Sequence, residues 1–340
     1  MGKLLSLVVP VYYEADCIDQ FLKETKEALS GLPIRHEIVF VDDGSGDDTV
    51  ARILAYAAND PAIKLVEFSY NQGKAAAATA GIRHASGDYL LYMDPDLQDP
   101  PKEIGRFLAE IQKGYDLVFG IRREKRDSLP NRVMSRIFWT TLNRFTGLQV
   151  PTGLAVMRIF NREFANRFLA YGEQNRFIEG IFMHVGMRRT TIEIEQRERF
   201  AGVSKFNFGR KMGLAFDAIL DYSELPLRMA MRFGLLLSFL SLLSMAGIII
   251  LRLLRVDFPV GWSSMISAFT FAFGVQLFFI GVAAVYIGRI YRETKQRPLF
   301  SVKALTNIDA VPWPLGRPDR PVGEPTEHSG QGPGNLAGRP

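Results

Sequence analysis

Short apolar runs divide the first 121 residues, and helical stretches separate them. The runs are Leu4–Val11, Glu37–Val41, Ile63–Phe68, Tyr89–Met93 and Asp116–Phe119. They are β-branched and nearly continuous, which is the pattern of strands buried on both faces. Residues 15–30, 47–59, 73–85 and 101–113 lie between them and read as helices. This alternation predicts a doubly wound, mostly parallel sheet of the Rossmann-like α/β class. Ligands bind such sheets at the carboxyl ends of the strands. Those ends read Pro10–Glu14, Asp42–Ser45, Tyr70–Lys74 and Asp94–Gln98, all polar or glycine-bearing. The site is therefore expected to form from several separate loops.

The late third of the chain is different. Residues 233–251 carry no charge and are long enough to span a bilayer. Residues 258–288 are uncharged too, with Met265–Ile287 as the expected second span. Arg228 and Arg232 precede the first span, and Arg289, Arg292, Lys295 and Arg297 come after the second. These flanks outweigh Arg252 and Arg255 in the link, so both ends are expected in the cytoplasm. Residues 128–147 form a basic amphipathic segment with Phe138, Trp139 and Phe145. It reads either as a helix packed on the sheet or as one lying at the membrane interface.

The expected organisation is a catalytic domain over 1–205, juxtamembrane amphipathic helices over 206–232, a two-helix transmembrane hairpin over 233–288, and a tail over 289–340. The tail is rich in Pro and Gly and reads as disordered from about 305. Residues 1–12 read as a strand, not a signal peptide, so the catalytic part is expected in the cytosol.

Charge narrows the partners. The formal net charge is +5, and the basic residues cluster at 122–136, at 197–211 and beside the apolar segments. No basic run with interleaved aromatics suggests nucleic acid; phosphates and a lipid surface fit better. The single cysteine, Cys17, excludes a disulfide framework or a thiolate metal site. His36, His84, His184 and His328 are too scattered to form a ligand pattern.

Two carboxylates, Asp94 and Asp96, come directly after the fourth strand. Spaced this way they can converge on a hard cation, Mg²⁺ or Mn²⁺, with Gln98 adding a neutral oxygen. Such a cation stabilises charge on a departing diphosphate. Asp42 and Asp43 end the second strand and are placed to accept hydrogen bonds from a ribose or base; capping the next helix is an equally good use. Gly73 lets the backbone approach a ligand, and Lys74 is placed to meet a phosphate. The segment Asn71–Lys74 is not a Walker loop, because Phe68 stands where that motif needs glycine. Nor does it carry a Rossmann glycine triplet.

Taken together, Val9-Pro10-Val11-Tyr12-x-Glu14, Val41-Asp42-Asp43-Gly44-Ser45-x-Asp47-x-Thr49, Asn71-x-Gly73-Lys74 and Asp94-x-Asp96-Leu97-Gln98-Asp99-Pro100-Pro101 resemble glycosyltransferase family 2. The pattern is similar to its polyprenyl-phosphate branch, which includes bactoprenol glucosyltransferases and dolichol-phosphate mannosyltransferases. The resemblance continues through Gly120-x-Arg122 and Arg197–Lys205 and covers about residues 3–297. It implies a GT-A type sheet and sugar transfer, with inversion, from a nucleotide diphosphate, UDP being favoured, to undecaprenyl phosphate. It also implies a multi-pass protein of the inner (plasma) membrane, N-in and C-in, and a homo-oligomer, a tetramer by family analogy. Pro10, Tyr12, Glu14 and Asp42, joined by Asp43, Gly73 and Lys74, would face the nucleotide. Asp94, Asp96 and Gln98 would hold the metal. Arg122, Arg199, Ser204 and Lys205 would face the acceptor phosphate. Asp94, Asp96, Arg122, Arg158, Arg199 and Lys205 would form the catalytic set.

Two positions depart from the family. Tyr13 stands where Asn is usual. Val156 stands where bactoprenol members carry an Asp assigned as base, with Arg158 kept. Val cannot accept a proton. A phosphate acceptor, with a second pKa near ~6, needs no base at neutral pH. The alternatives are a catalytically impaired nucleotide-sugar-binding protein and a processive polysaccharide synthase. The latter usually carries Gln-x-x-Arg-Trp, which is absent here.

Overall fold

A computed structural model of the chain describes residues 2–122, 153–195, 225–254 and 261–309, with positions 140, 143, 144, 146, 147, 150, 151, 197 and 200 besides. Most of the amphipathic segment 128–147 and of 206–232, and the tail from 310, lie outside the described residues.

The alternation of the first 121 residues becomes β1 (Leu4–Val11), α1 (Ala15–Ser30), β2 (Arg35–Asp42), α2 (Thr49–Ala57), β3 (Ile63–Phe68), α3 (Lys74–His84), β4 (Tyr89–Tyr92), α4 (Ile104–Ile111) and β5 (Leu117–Arg122). Then come β6 (Leu154–Asn161), α5 (Arg162–Ala170), α6 (Ile178–His184), β7 (Arg189–Ile194), α7 (Leu225–Leu253), α8 (Trp262–Thr294) and β8 (Val302–Thr306). One sheet holds all these strands in the order β7-β5-β6-β4-β1-β2-β3-β8. Strands β1 to β4 are parallel, as expected. The sheet as a whole is mixed: β6 runs antiparallel to β4 and β5, and β8 runs antiparallel to β3.

Alternation along β1 sorts the two layers. Leu5, Leu7, Val9 and Val11 join the core of α1, α2 and α4, through Ile18, Phe21, Ile53, Ile104 and Phe107. Val8 faces α3. There Gly81 sits so close that a Cβ would lie 2.4 Å from Val8 and 3.0 Å from Val41. On the same side Phe119, Phe160, Phe164 and Phe168 gather around Phe182 of α6.

The amino ends of the strands are tied by a buried carboxylate. Glu37 accepts from Ser6 Oγ at 2.6 Å, from Ser86 N–H at 2.6 Å and from Lys64 Nζ at 2.7 Å. Burial would raise its pKa, but Lys64 and the serines outweigh burial and hold it below the usual value.

Three expectations change. Residues 302–306 are a strand, so the tail begins in the sheet and the disordered stretch cannot start at 305. A five-residue run has too little apolar content to announce itself; its register comes from β3. The helix α7 starts at Leu225, so no break separates Arg228 and Arg232 from the apolar run. Both expected spans are helical, but among the described residues one segment, Phe271–Thr294, is long and apolar enough to cross a membrane by length and composition. None of it is buried. Ring centroids of Phe233 and Phe279 lie 6.1 Å apart, so α7 touches α8.

Because Glu37 is held low, its stabilising contribution is present above the unfolded value, about 4.3. It is lost as pH falls through the lower folded value. Glu37→Leu should lower the thermal midpoint at pH 7, because Lys64 and two serines lose a buried acceptor. The loss should shrink when melts are run at a pH below both values.

Candidate active site

The site forms where β1 and β4 part. Val8 accepts the last ladder bond, from Met93 N–H at 3.2 Å. Two residues further, Pro10 has no N–H to offer on that side. The chain after Met93 therefore leaves the sheet as Asp94-Pro95-Asp96. Pro10 is buried within β1, paired with Val41. It ends the ladder with β4 and stands directly before the loop that carries Tyr12 and Glu14.

Asp94 emerges on the α3 side and meets Lys74 at 2.6 Å. Burial works against the Lys74 charge, but the Asp94 carboxylate outweighs it and raises its pKa. Asp96 is 7% exposed and accepts from Gln98 N–H at 3.1 Å. Leu97 between them takes φ +60° and is buried, so it anchors the turn. Arg197 N–H donates to the Gln98 carbonyl at 2.9 Å, and Phe200 N–H to the Asp96 carbonyl at 3.2 Å. The segment after β7 thus lies against this loop. Arg199, Ser204 and Lys205, assigned there from sequence, lie outside the described residues.

The second strand end is a scaffold. The Asp42 carboxylate accepts from the N–H groups of Gly44 and Ser45. Asp43 accepts from Gln72 N–H at 2.6 Å, Gly73 N–H at 2.9 Å and Asn71 Nδ2 at 3.0 Å. Burial pushes both carboxyls up, against these donors. Asp43 therefore shapes the loop that presents Lys74. Gly44, at φ +75°, cannot carry a side chain: a Cβ would lie 2.6 Å from the Tyr70 carbonyl carbon. The first loop is tied to the second, with Tyr13 N–H donating to Ser45 Oγ and Glu14 N–H to Thr49 Oγ1. Tyr12 and Tyr13 meet edge to face.

Tyr92 and Glu179, which sequence reading passed over, lie with Arg158 beside Asp94 and Lys74. Tyr92 pairs across the sheet with Arg158. The Arg158 guanidinium is 2% exposed, between the rings of Tyr92, Phe119 and Phe182. Its Nη2 lies 3.4 Å from Glu179 of α6, and its Nη1 has no hydrogen-bond partner. At this depth the neighbours of Arg158 are Tyr92, Glu179 and the aromatic rings. Asp99 accepts the N–H groups of Val156 and Met157 and lies 3.6 Å from Arg122. The β5–β6 pairing shifts register beside Val156, where two successive N–H groups turn to Asp99. Burial pushes the Cys17 thiol up to about 12, with Glu14 adding to it. That thiol stays protonated and is no nucleophile.

The donor set fits a divalent cation held with a nucleotide. Among the described residues no three His, Cys, Asp or Glu converge as a metal cage. Two carboxylates at one loop, with substrate phosphates completing the shell, are the usual provision for Mg²⁺.

The model of the family described as Glycosyl transferase family 2 matches residues 6–169. A bactoprenol glucosyl transferase of Shigella phage SfX is 36% identical over 88% of this chain and 99% of its own length. The chain belongs to glycosyl transferase family 2. This family 2 enzyme falls on the polyprenyl-phosphate branch. An uncharacterized glycosyltransferase of Synechocystis is 35% identical over 91% of this chain and 97% of its own. Among solved structures, glucosyl-3-phosphoglycerate synthase from Mycobacterium tuberculosis overlays 64% of this chain and 78% of its own at TM-score 0.48 and 18% identity. That overlap is too loose to carry ligands across.

For this family 2 glycosyltransferase, Asp43→Ala should free residues 71–73. Sugar-nucleotide KM should rise about tenfold, the loss of two to three hydrogen bonds. Steady-state kinetics across donor concentration check it.

Proposed function

We propose that the enzyme transfers a sugar from a nucleoside diphosphate, UDP-linked, to undecaprenyl phosphate at the cytoplasmic face of the plasma membrane, with inversion. The observation that carries this reading is the return of the chain to its own sheet. It leaves the α/β body before Leu225, runs through α7 and α8, and re-enters as β8. A segment crossing a membrane from one body and returning to it crosses an even number of times. If Phe271–Thr294 spans, α7 spans too. The hairpin is then N-in and C-in, and it puts the nucleotide site and a lipid acceptor in one molecule. The exposed side chains of Leu235, Leu236, Phe239, Phe271, Leu277 and Phe278 support a lipid setting for both helices.

In this reading Tyr12 and Glu14 border the nucleoside, on loops shaped by Asp42 and Asp43. Lys74 offers charge to the diphosphate. Asp94, Asp96 and Gln98 would hold Mg²⁺ or Mn²⁺, which neutralises charge on the leaving group when bound. Arg122, with Arg199, Ser204 and Lys205, orients the acceptor phosphate. A phosphate oxygen attacks the anomeric carbon as the bond to the nucleoside diphosphate breaks. The electron pair leaves with the diphosphate, and no proton is transferred. Val156, which cannot accept a proton, is compatible with that chemistry.

The test is radiolabel transfer into an organic-extractable lipid. Purified protein receives undecaprenyl phosphate, Mg²⁺ or Mn²⁺, and a panel of UDP- and GDP-sugars. One donor should label the lipid, and EDTA should stop it. Nucleotide binding without label from any donor would favour an impaired binding protein instead. Asp96→Ala should cut transfer by at least ~10²-fold. Val156→Asp should not raise transfer to lipid phosphate. A gain would point to a hydroxyl acceptor.

A further inference from the structure

The end of α8 and the segment leading into β8 touch the loop before Lys74 and the loop before α6. On one side Gln174 N–H donates to Glu293 Oε1 at 2.8 Å, and Gln174 Nε2 donates to the Arg297 carbonyl at 2.7 Å. Gln174 lies four residues before α6, which carries Glu179, the carboxylate beside Arg158. On the other side Ser301 N–H donates to Gln72 Oε1 at 2.9 Å, and Gln72 Nε2 donates back to the Ser301 carbonyl at 3.2 Å. Ser69 N–H reaches the same carbonyl at 3.2 Å. Phe300 is buried and stacks on Phe68, with ring centroids 5.5 Å apart.

We infer that residues 293–306 form a strap that holds the loop 69–74 in its nucleotide-binding shape, with Gln72 as the positioning residue for Lys74. Gln72 is gripped from two directions. Its backbone N–H is fixed by Asp43, and its side chain is fixed by Ser301. Lys74 comes two residues later, after Gly73 at φ +94°. A glycine in that region is a free joint unless its neighbours are held. The pairing of β3 with β8 shifts register between Glu67 and Phe68, immediately before the loop. Such a shift bends the strand and re-aims the loop beyond it. The strap also covers the otherwise open edge of β3. Ordering the loop before the ligand arrives removes a cost that binding would otherwise meet. Since the strap begins at the last turn of α8, seating of the apolar helix and shape of the donor loop are one mechanical unit. This role rests on reading Lys74 and Asp94 as the donor site.

The test uses the full chain in detergent with Gln72→Leu, a chain ending at Arg297, and a control chain ending at Asp309. Hydrogen exchange of the peptide covering 70–75 reads the loop directly and needs no substrate. Calorimetry with Mn²⁺ and UDP or GDP reads the site. Gln72→Leu and the 297 chain should exchange about tenfold faster in this peptide, the loss of two hydrogen bonds. They should bind nucleotide about tenfold more weakly. The Gln72→Leu thermal midpoint should stay within about 2 °C of wild type, and the 309 chain should match wild type throughout. If the 297 chain fails to fold, Gln72→Leu alone decides. Unchanged exchange and affinity in Gln72→Leu would overturn the strap, as would a weakened affinity matched by a general loss of stability. If the wild-type chain binds neither nucleotide, the donor-site reading fails, and the exchange rates still decide whether the strap holds the loop.

Discussion

The site depends on where one ladder stops. Parallel strands β1 and β4 are hydrogen-bonded until Val8 and Met93, and Pro10 prevents the next bond. Pro95 has no N–H either, so neither strand can donate the bonds that would extend this ladder. The two prolines release the backbone at the point where the two carboxylates begin. Asp94 then turns to the α3 side, where Lys74 opens the helix. The other parts of the site are fitted around that departure: Asp43 holds the loop before Lys74, and the backbones of Arg197 and Phe200 bond to the loop at Asp96 and Gln98.

Charge is handled by burial with few partners. Asp42 and Asp43 spend their oxygens on backbone N–H groups, which shapes loops at the cost of raised carboxyl pKa values. Arg158 is kept deep in the fold, with one carboxylate and three aromatic rings around it. Ring faces offset part of the cost of desolvating a cation. The result is a fixed positive charge under Tyr92, whose hydroxyl burial keeps neutral. These groups do not rearrange to meet a ligand; they set the field into which it arrives.

The parallel half of the fold was legible because each strand there is an uninterrupted apolar run, and each strand end announces its polar loop. Asp94, Lys74 and Asp42 stand out that way. The part Pro10 plays in ending a ladder is not legible locally, because only the partner strand shows where the bonds stop. Strands β6 and β7 mix charge with apolar residues, as in Arg158 and Glu193, so their period is blurred. The strand β8 is invisible for a different reason. Its five residues are half-exposed on one sheet edge, and their fold is dictated by β3, more than two hundred residues earlier. Glu179 gives no local signal, since its meaning comes from Arg158 on another element.

Val156 belongs to this electrostatic arrangement and not only to the question of a base. Its carbonyl accepts from Arg158 Nε at 3.0 Å. A carboxylate side chain here would add negative charge to a site that, in the proposed reaction, must bring a diphosphate and a phosphate monoester together. Like charges at close range in a low-dielectric site repel by several kcal/mol. Asp94, Asp96 and Asp99 already supply carboxylates on this loop. Among the described residues the Arg158 charge is met by Glu179, at 3.4 Å, and its Nη1 has no hydrogen-bond partner. The substitution thus removes a proton acceptor that an ionised phosphate does not need. In the proposed reaction it would also spare the site a negative charge that opposes bringing two anions together.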